Sequence, residues 1–167
     1  MRQPTQAEEA DIVAAFEAMD RGLAGKVLRG RSLGIDDTPD GRVVLAVSPR
    51  VWDLPEALWS EGHGAFAIGD LVDGFSLDLQ GATLVADATA ALTVRVLEKA
   101  SHLWLYGRKI LAASVERFPH GMRPGDMCIV ANPRGEALGI GRVIGNLKGS
   151  GEAVVPLHDL GEYLRDQ

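Results

Sequence analysis

The chain is 167 residues long, 46% hydrophobic and 24% charged, which are the values of one or two folded domains and not of a disordered chain. A single cysteine excludes an internal disulfide and any multi-cysteine zinc site, and fits a reducing, cytoplasmic setting. The formal net charge is −6, but residues 1–93 carry 7 Lys+Arg against 15 Asp+Glu, whereas residues 94–167 carry 10 against 8. An acidic first half repels phosphate, so any surface for a polyanion is to be sought in the second. No apolar run has the form of a signal peptide or the length of a membrane span, and no membrane contact is expected.

In chain order, Thr5-Gln6-Ala7-Glu8 reads as a capping box. The helix it opens carries Ile12, Val13, Phe16, Met19 and Leu23 on one face and ends at Gly22 and Gly25. Lys26 to Leu28 and Arg42 to Val47 read as strands, separated by a loop that contains Thr38-Pro39-Asp40-Gly41. Arg29 and Arg31 form a small basic cluster, of a kind that is usually just solvated. Ser48-Pro49 suits the start of a short helix with Val51, Leu54 and Leu58, which Pro55 bends or divides. Trp52 and Trp59 are expected in the core or at an interface. A hairpin is expected from Ala65 to Val72 and Phe75 to Leu79 around Asp73-Gly74. Ala82 to Leu92 has no clear period and is left unassigned.

The charge balance changes between Ala91 and Thr93, where Thr93 to Leu97 opens a new strand. Two domains are therefore expected, 1–92 and 93–167. In the second, Ala100, Leu103 and Trp104 have helical spacing, and Gly107 is the residue that most easily leaves the helix. Lys109 to Ala112 and Met127 to Ala131 read as strands, with Cys128 as a small buried hydrophobe. Asn132-Pro133-Arg134-Gly135 suits a type I turn that returns the chain as Ala137 to Ile144. A flexible glycine-rich loop from Gly145 to Gly151 leads to a last strand, Ala153 to Leu157. Asp159 and Glu162 resemble a capping box that starts a short terminal helix.

Catalytic and metal chemistry find little support. Gly139, Gly141 and Gly145 have the wrong spacing for a dinucleotide fingerprint and sit in a strand-like run. His63, His102, His120 and His158 are dispersed, without metal-ligand spacing. His158 and Asp159 point to opposite faces of a strand and cannot act as a base and its orienter. Gly149-Ser150-Gly151 lacks the spacing of a nucleophile elbow. No cofactor, metal or catalytic residue is expected.

The helix, Gly107-x-x-Ile110-Leu111-Ala112, Gly125-Asp126-x-x-x-Val130, a turn, and Gly139-x-Gly141-Arg142 together resemble the PUA domain, an RNA-binding module. The runs Met1 to Glu9 and Asp159 to Arg165, with Leu105-Tyr106-Gly107, further resemble the Nip-seven family, the large-ribosomal-subunit biogenesis factors of eukaryotes and their archaeal counterparts. The resemblance implies an α+β protein, with an N-terminal α/β sheet domain followed by a C-terminal PUA-like mixed β-barrel. It also implies ribosomal RNA or its precursor and ribosome-assembly proteins as partners, and a monomer is expected.

The residues themselves offer an RNA-contact turn at Tyr106, Gly107, Arg108 and Lys109. There a glycine permits close approach, Arg108 can grip a phosphate bidentately, Lys109 adds a point charge, and Tyr106 can stack on a base. The same four residues also fit a buried tyrosine, a helix stop and two solvated cations. The family's groove favours the RNA reading and adds Arg142, Lys148 and Arg165 as candidates. Two rivals are an RNA-recognition subunit of a modifying enzyme and a protein adaptor without RNA binding.

Overall fold

A computed structural model describes residues 1–58 and 64–161. The chain divides into two compact units, Met1–Gly81 and Ala82–Gln167. The change in charge balance lies a little further on, near Thr93.

In the first unit, Thr5 caps helix α1 (Gln6–Met19) as expected, with both halves of the capping box formed. Ile12 and Phe16 are fully buried on its inner face. The segment expected as a strand from Lys26 to Leu28 is helical instead. Leu23–Val27 forms α2, because Leu23, Ala24 and Val27 bury a single helical face. The Glu17 carboxylate takes the N–H groups of Gly22 at 2.7 Å and Ala24 at 3.2 Å, supplying acceptors at the start of that turn.

The first strand falls in what the sequence reads as a loop. β1 (Ser32–Thr38) pairs with β2 (Gly41–Val47) across the Pro39-Asp40 turn, from Ser32 opposite Val47 to Thr38 opposite Gly41. Polar Asp36 and Asp37 hid that strand's alternation. After a 3-10 turn at Pro49–Asp53 and a second at Glu56–Leu58, divided at Pro55, come β3 (Ala65–Leu71) and β4 (Phe75–Leu77). The four strands make an antiparallel sheet in the order β1-β2-β3-β4. Trp52 is half-buried against the cluster of Leu45, Val47, Val51 and Ala65, and its Nε1–H donates to Ser32 Oγ at 2.7 Å. Trp59 and His63 lie outside the described residues. The unassigned stretch is mostly helix α3 (Leu79–Ala88).

In the second unit, β5 (Thr93–Val96) leads into helix α4 (Glu98–Trp104), followed by β6 (Ile110–Leu111), a 3-10 turn at Ala112–Ser114, and β7 (Val115–Arg117). β8 (Met127–Ala131), β9 (Ala137–Val143) and β10 (Glu152–Asp159) follow. The sheet order is β6-β10-β9-β8-β5-β7, with β5 and β8 parallel. Its two edge strands, β6 and β7, are joined in the chain by that one 3-10 turn, which curls the sheet into a nearly closed barrel. The turn at Asn132 forms as expected, with the Gly135 N–H donating to the Asn132 carbonyl at 2.9 Å.

Trp104 is fully buried and plugs the barrel. β9 can pass the indole only because it carries glycines. A Cβ at Gly139 would stand 2.8 Å from Trp104 Nε1, and one at Gly141 2.8 Å from Trp104 Cη2. Cys128 is also fully buried, and loss of solvation pushes its thiol up to about 12. The Gly145–Gly151 segment closes on Asn146, which accepts from the Lys148 and Gly149 N–H groups, and Leu147 enters the core. Asp159 ends β10 as a buried residue, its carboxylate accepting from the Gly161 N–H at 2.8 Å. Glu162, and the helix expected from it, lie outside the described residues.

Candidate nucleic-acid interface

The turn after α4 is a double hydrogen-bonded stop. Gly107 adopts φ +71°, its N–H donates to the Trp104 carbonyl at 2.8 Å, and the Arg108 N–H reaches back to the Leu103 carbonyl at 3.2 Å. This is the Schellman arrangement, and it requires the left-handed residue that glycine supplies without strain. Both amides are spent on helix carbonyls, so the glycine opens the turn sterically and offers no N–H to a phosphate.

Tyr106 is not buried: 72% of it is exposed at the tip of the turn. Arg108 is exposed and has no ion-pair or hydrogen-bond partner for its guanidinium among the described residues. Lys109 differs, because its Nζ lies 2.7 Å from Glu152 Oε2, with both side chains about half exposed.

The strand register brings Arg142 to the same face. Ile110 pairs with Val154, and Val154 with Val143, so these three buried residues form one row across β6, β10 and β9. Lys109 and Arg142 each precede a member of that row on strands running in the same direction. They therefore share the outward face, roughly 10 Å apart by two strand spacings. Arg142 is exposed and unpaired among the described residues. Lys109 thus joins the α4 turn, which carries Tyr106 and Arg108, to the face that carries Arg142, and this rim meets an acidic group at Glu152.

Lys148 stands elsewhere, with its Nζ over the Phe118 ring, 5.7 Å from the centroid. Arg165 lies outside the described residues. Gly161, the last described residue, lies against the Leu105 carbonyl, close enough that a Cβ there would collide with it. Arg134 is drawn to Glu136 at 3.0 Å, and Arg31 lies over Phe66 at 5.9 Å, so both already have local company. Sequence reasoning does not single out Arg95 and Arg117, which face each other across β5 and β7. Only the register of a two-strand edge makes that pairing visible.

Among the described residues no three His, Cys, Asp or Glu side chains gather to hold a metal ion, and no helix is long and apolar enough to cross a membrane.

Residues 92–167 match the family model described as the UPF0113 PUA domain. Among solved structures, the chain is similar to a conserved PUA-domain protein from Thermoplasma acidophilum, with 16% identity, a TM-score of 0.66, and coverage of 99% of this chain and 97% of that one. It is also similar to a hypothetical protein from Pyrococcus horikoshii, with 17% identity, a TM-score of 0.63, and 93% and 92% coverage. A PUA domain from Aeropyrum pernix, solved as a tartrate complex, gives 15% identity, a TM-score of 0.61, and 98% and 87% coverage. At such identities the likeness is one of fold. No curated protein matches the chain.

Proposed function

We propose that this chain, whose residues 92–167 carry a PUA domain, is a non-catalytic RNA-binding factor of large-ribosomal-subunit assembly, similar to the Nip-seven family. Its RNA is ribosomal RNA or the precursor, held along the rim of Tyr106, Arg108, Lys109 and Arg142. The observation that carries this reading is the pair Arg108 and Arg142, two exposed guanidinium groups unpaired among the described residues in a domain type that points to RNA.

Each residue has its own part in this account. Arg108 and Arg142 grip phosphates, Lys109 exchanges Glu152 for a phosphate, and Tyr106 stacks on an unpaired base. Phosphate contacts position the RNA without reading its sequence. The first unit, rich in carboxylates, takes basic assembly proteins and works in the cytoplasm as a monomer beside them.

Three phosphate contacts to a single strand give a slope of log K against log salt of about −2. Fluorescence anisotropy of the full chain with fragments of large-subunit precursor RNA, across a salt series, tests this. Arg108→Glu with Arg142→Glu should abolish binding at moderate salt while leaving the unfolding temperature unchanged. Binding that survives the double change with the same salt slope would refute the rim as the RNA site. Loss of a modified nucleoside on depletion, restored by the purified protein alone, would refute the non-catalytic role.

A further inference from the structure

A second cationic feature lies in the PUA unit, away from the α4 rim, where β5 meets β7. Val94 and Val96 are fully buried in the barrel, so Thr93 and Arg95 face outward along β5. β7 breaks that alternation. Arg95 pairs with Arg117 but Val96 pairs with Val115, so one step on β5 spans two on β7 and Glu116 is the extra residue of a bulge. The bulge lets Val115 pack on the core and turns Arg117 outward, directly across from Arg95. Bulges at barrel rims commonly re-aim a side chain in this way near a binding site.

Like charges directly opposite on an antiparallel pair are destabilising, and no carboxylate among the described residues pairs with either. Neither guanidinium has an ion-pair or hydrogen-bond partner among the described residues. The two arginines line a cavity of about 330 Å³ with Thr93, Phe118, Pro119 and His120. No carboxylate is among the described residues that line it. The Thr93 hydroxyl is buried and has no hydrogen-bond partner among the described residues. Beside Arg95, Gly135 leaves room for the guanidinium, since a Cβ there would stand 3.2 Å from Nη2. Lys148 adds a third fixed cation over the Phe118 ring.

We propose that this pocket binds the phosphate of a single nucleotide, with Arg95 and Arg117 on the phosphate and the base against Phe118 and Pro119. Two forked guanidinium groups match the oxygens of a phosphate monoester, and the volume falls at the lower end of the range for small-ligand pockets. The phosphate monoester is shared by two sources, a free mononucleotide and the 5′ end of an RNA. The pocket and the α4 rim have no residue in common, so either can fail without the other.

The test is an NMR titration of the full-length protein with UMP, with inorganic phosphate as competitor. UMP should shift the amide signals of Thr93, Arg95, Arg117 and His120, and phosphate should reverse the shifts. Arg117→Ala, at an exposed position, should weaken UMP binding roughly tenfold with the fold intact, and Arg95→Gln should do the same. Competition by a 5′-phosphorylated RNA hexamer but not by its 5′-hydroxyl form assigns the pocket to RNA ends. UMP binding that neither hexamer displaces assigns it to free nucleotides. No shift at millimolar UMP, shifts confined to Tyr106–Lys109, or unchanged affinity in both variants would overturn the proposal.

Discussion

Two sets of arginines, one in each unit, are used in opposite ways. In the first, Arg2 and Arg42 converge on one buried carboxylate. Arg2 grips Glu8 through both Nη atoms at 2.8 Å, Arg42 Nη1 reaches it at 2.9 Å, and Arg2 also binds Asp37 through Nε at 2.7 Å. In the second, Arg95, Arg108, Arg117 and Arg142 have no such partners among the described residues. A guanidinium held by a buried acid contributes to the fold and is lost to any ligand. One left in water contributes almost nothing to the fold and keeps its full charge for an incoming anion. In the acidic first half Arg2, Arg42 and Lys26 are thus spent on carboxylates, whereas the modest positive balance of the second includes four arginines left for a ligand.

The largest effect expected from this contrast is at Glu8. Arg2 and the Thr5 N–H, followed by Arg42, hold its carboxyl well below the usual carboxylate range despite its burial. Glu8→Gln should cost about 2–3 kcal/mol at pH 7, because the arginines lose their anion and the capping box its acceptor. A depressed folded pKa means that the contribution is complete above the unfolded value of about 4.3 and is lost progressively as pH falls toward the lower folded value. Urea unfolding of wild type and variant should therefore differ most at pH 7, the gap narrowing progressively as pH falls below about 4. A gap independent of pH would show that the clamp acts by packing alone.

Parts of this contrast were legible in the sequence and parts were not. Thr5, Glu8 and Gly107 announced a capped helix start and a helix stop, because those roles depend on a few neighbouring residues. The strands β8 and β9 and the turn between them were equally plain, being short apolar runs around Asn132-Pro133-Arg134-Gly135. The strand β1 was missed because Asp36 and Asp37 interrupt its apolar pattern. α2 has no legible period, because Leu23, Ala24 and Val27 make too short a stretch to show one. At the interface, residue type identified Arg108 and Lys109 as cations, but which of them is free depends on Glu152, 43 residues away in the chain. The Arg95–Arg117 pair depends on a bulge, a register property with no local signature.

A matched pair of substitutions tests the contrast more directly. Arg42→Ala removes a cation from the buried clamp and should lower stability by about 1–2 kcal/mol while leaving RNA affinity unchanged. Arg142→Ala removes a solvated one and should change stability by less than about 0.5 kcal/mol. It should weaken RNA binding by several-fold and flatten the salt slope by about 0.7. Thermal melts and anisotropy titrations on the same four samples, the wild type, both singles and the double, read both properties. Stability and affinity falling together in either single variant would break the division of labour.

Tyr106→Ala comes next in size. With most of its surface already in water, the ring contributes little to folding, but stacking on a base is worth about 1–3 kcal/mol when a platform is removed. The expected signature is weaker RNA binding at an unchanged salt slope, since no charge is lost. Equal affinity for wild type and variant would limit the interface to its cations.

The smallest effect is expected at Glu152, and its sign is the informative part. The Lys109–Glu152 pair is about half exposed on both sides, so it contributes well under about 1 kcal/mol to the fold. Its consequence for an anion is larger than for stability, because Glu152 both occupies Lys109 and repels phosphate along the rim that Arg108 and Arg142 share. Glu152→Gln should therefore leave the melting temperature within error and raise RNA affinity a few-fold at an unchanged salt slope, since Lys109 already makes one of the three phosphate contacts. In the first unit the equivalent removal of an acid, at Glu8, loosens the protein. At Glu152 the same kind of change should free a cation without loosening anything, and an affinity that fell or stayed constant would mean that Lys109 does not face the RNA.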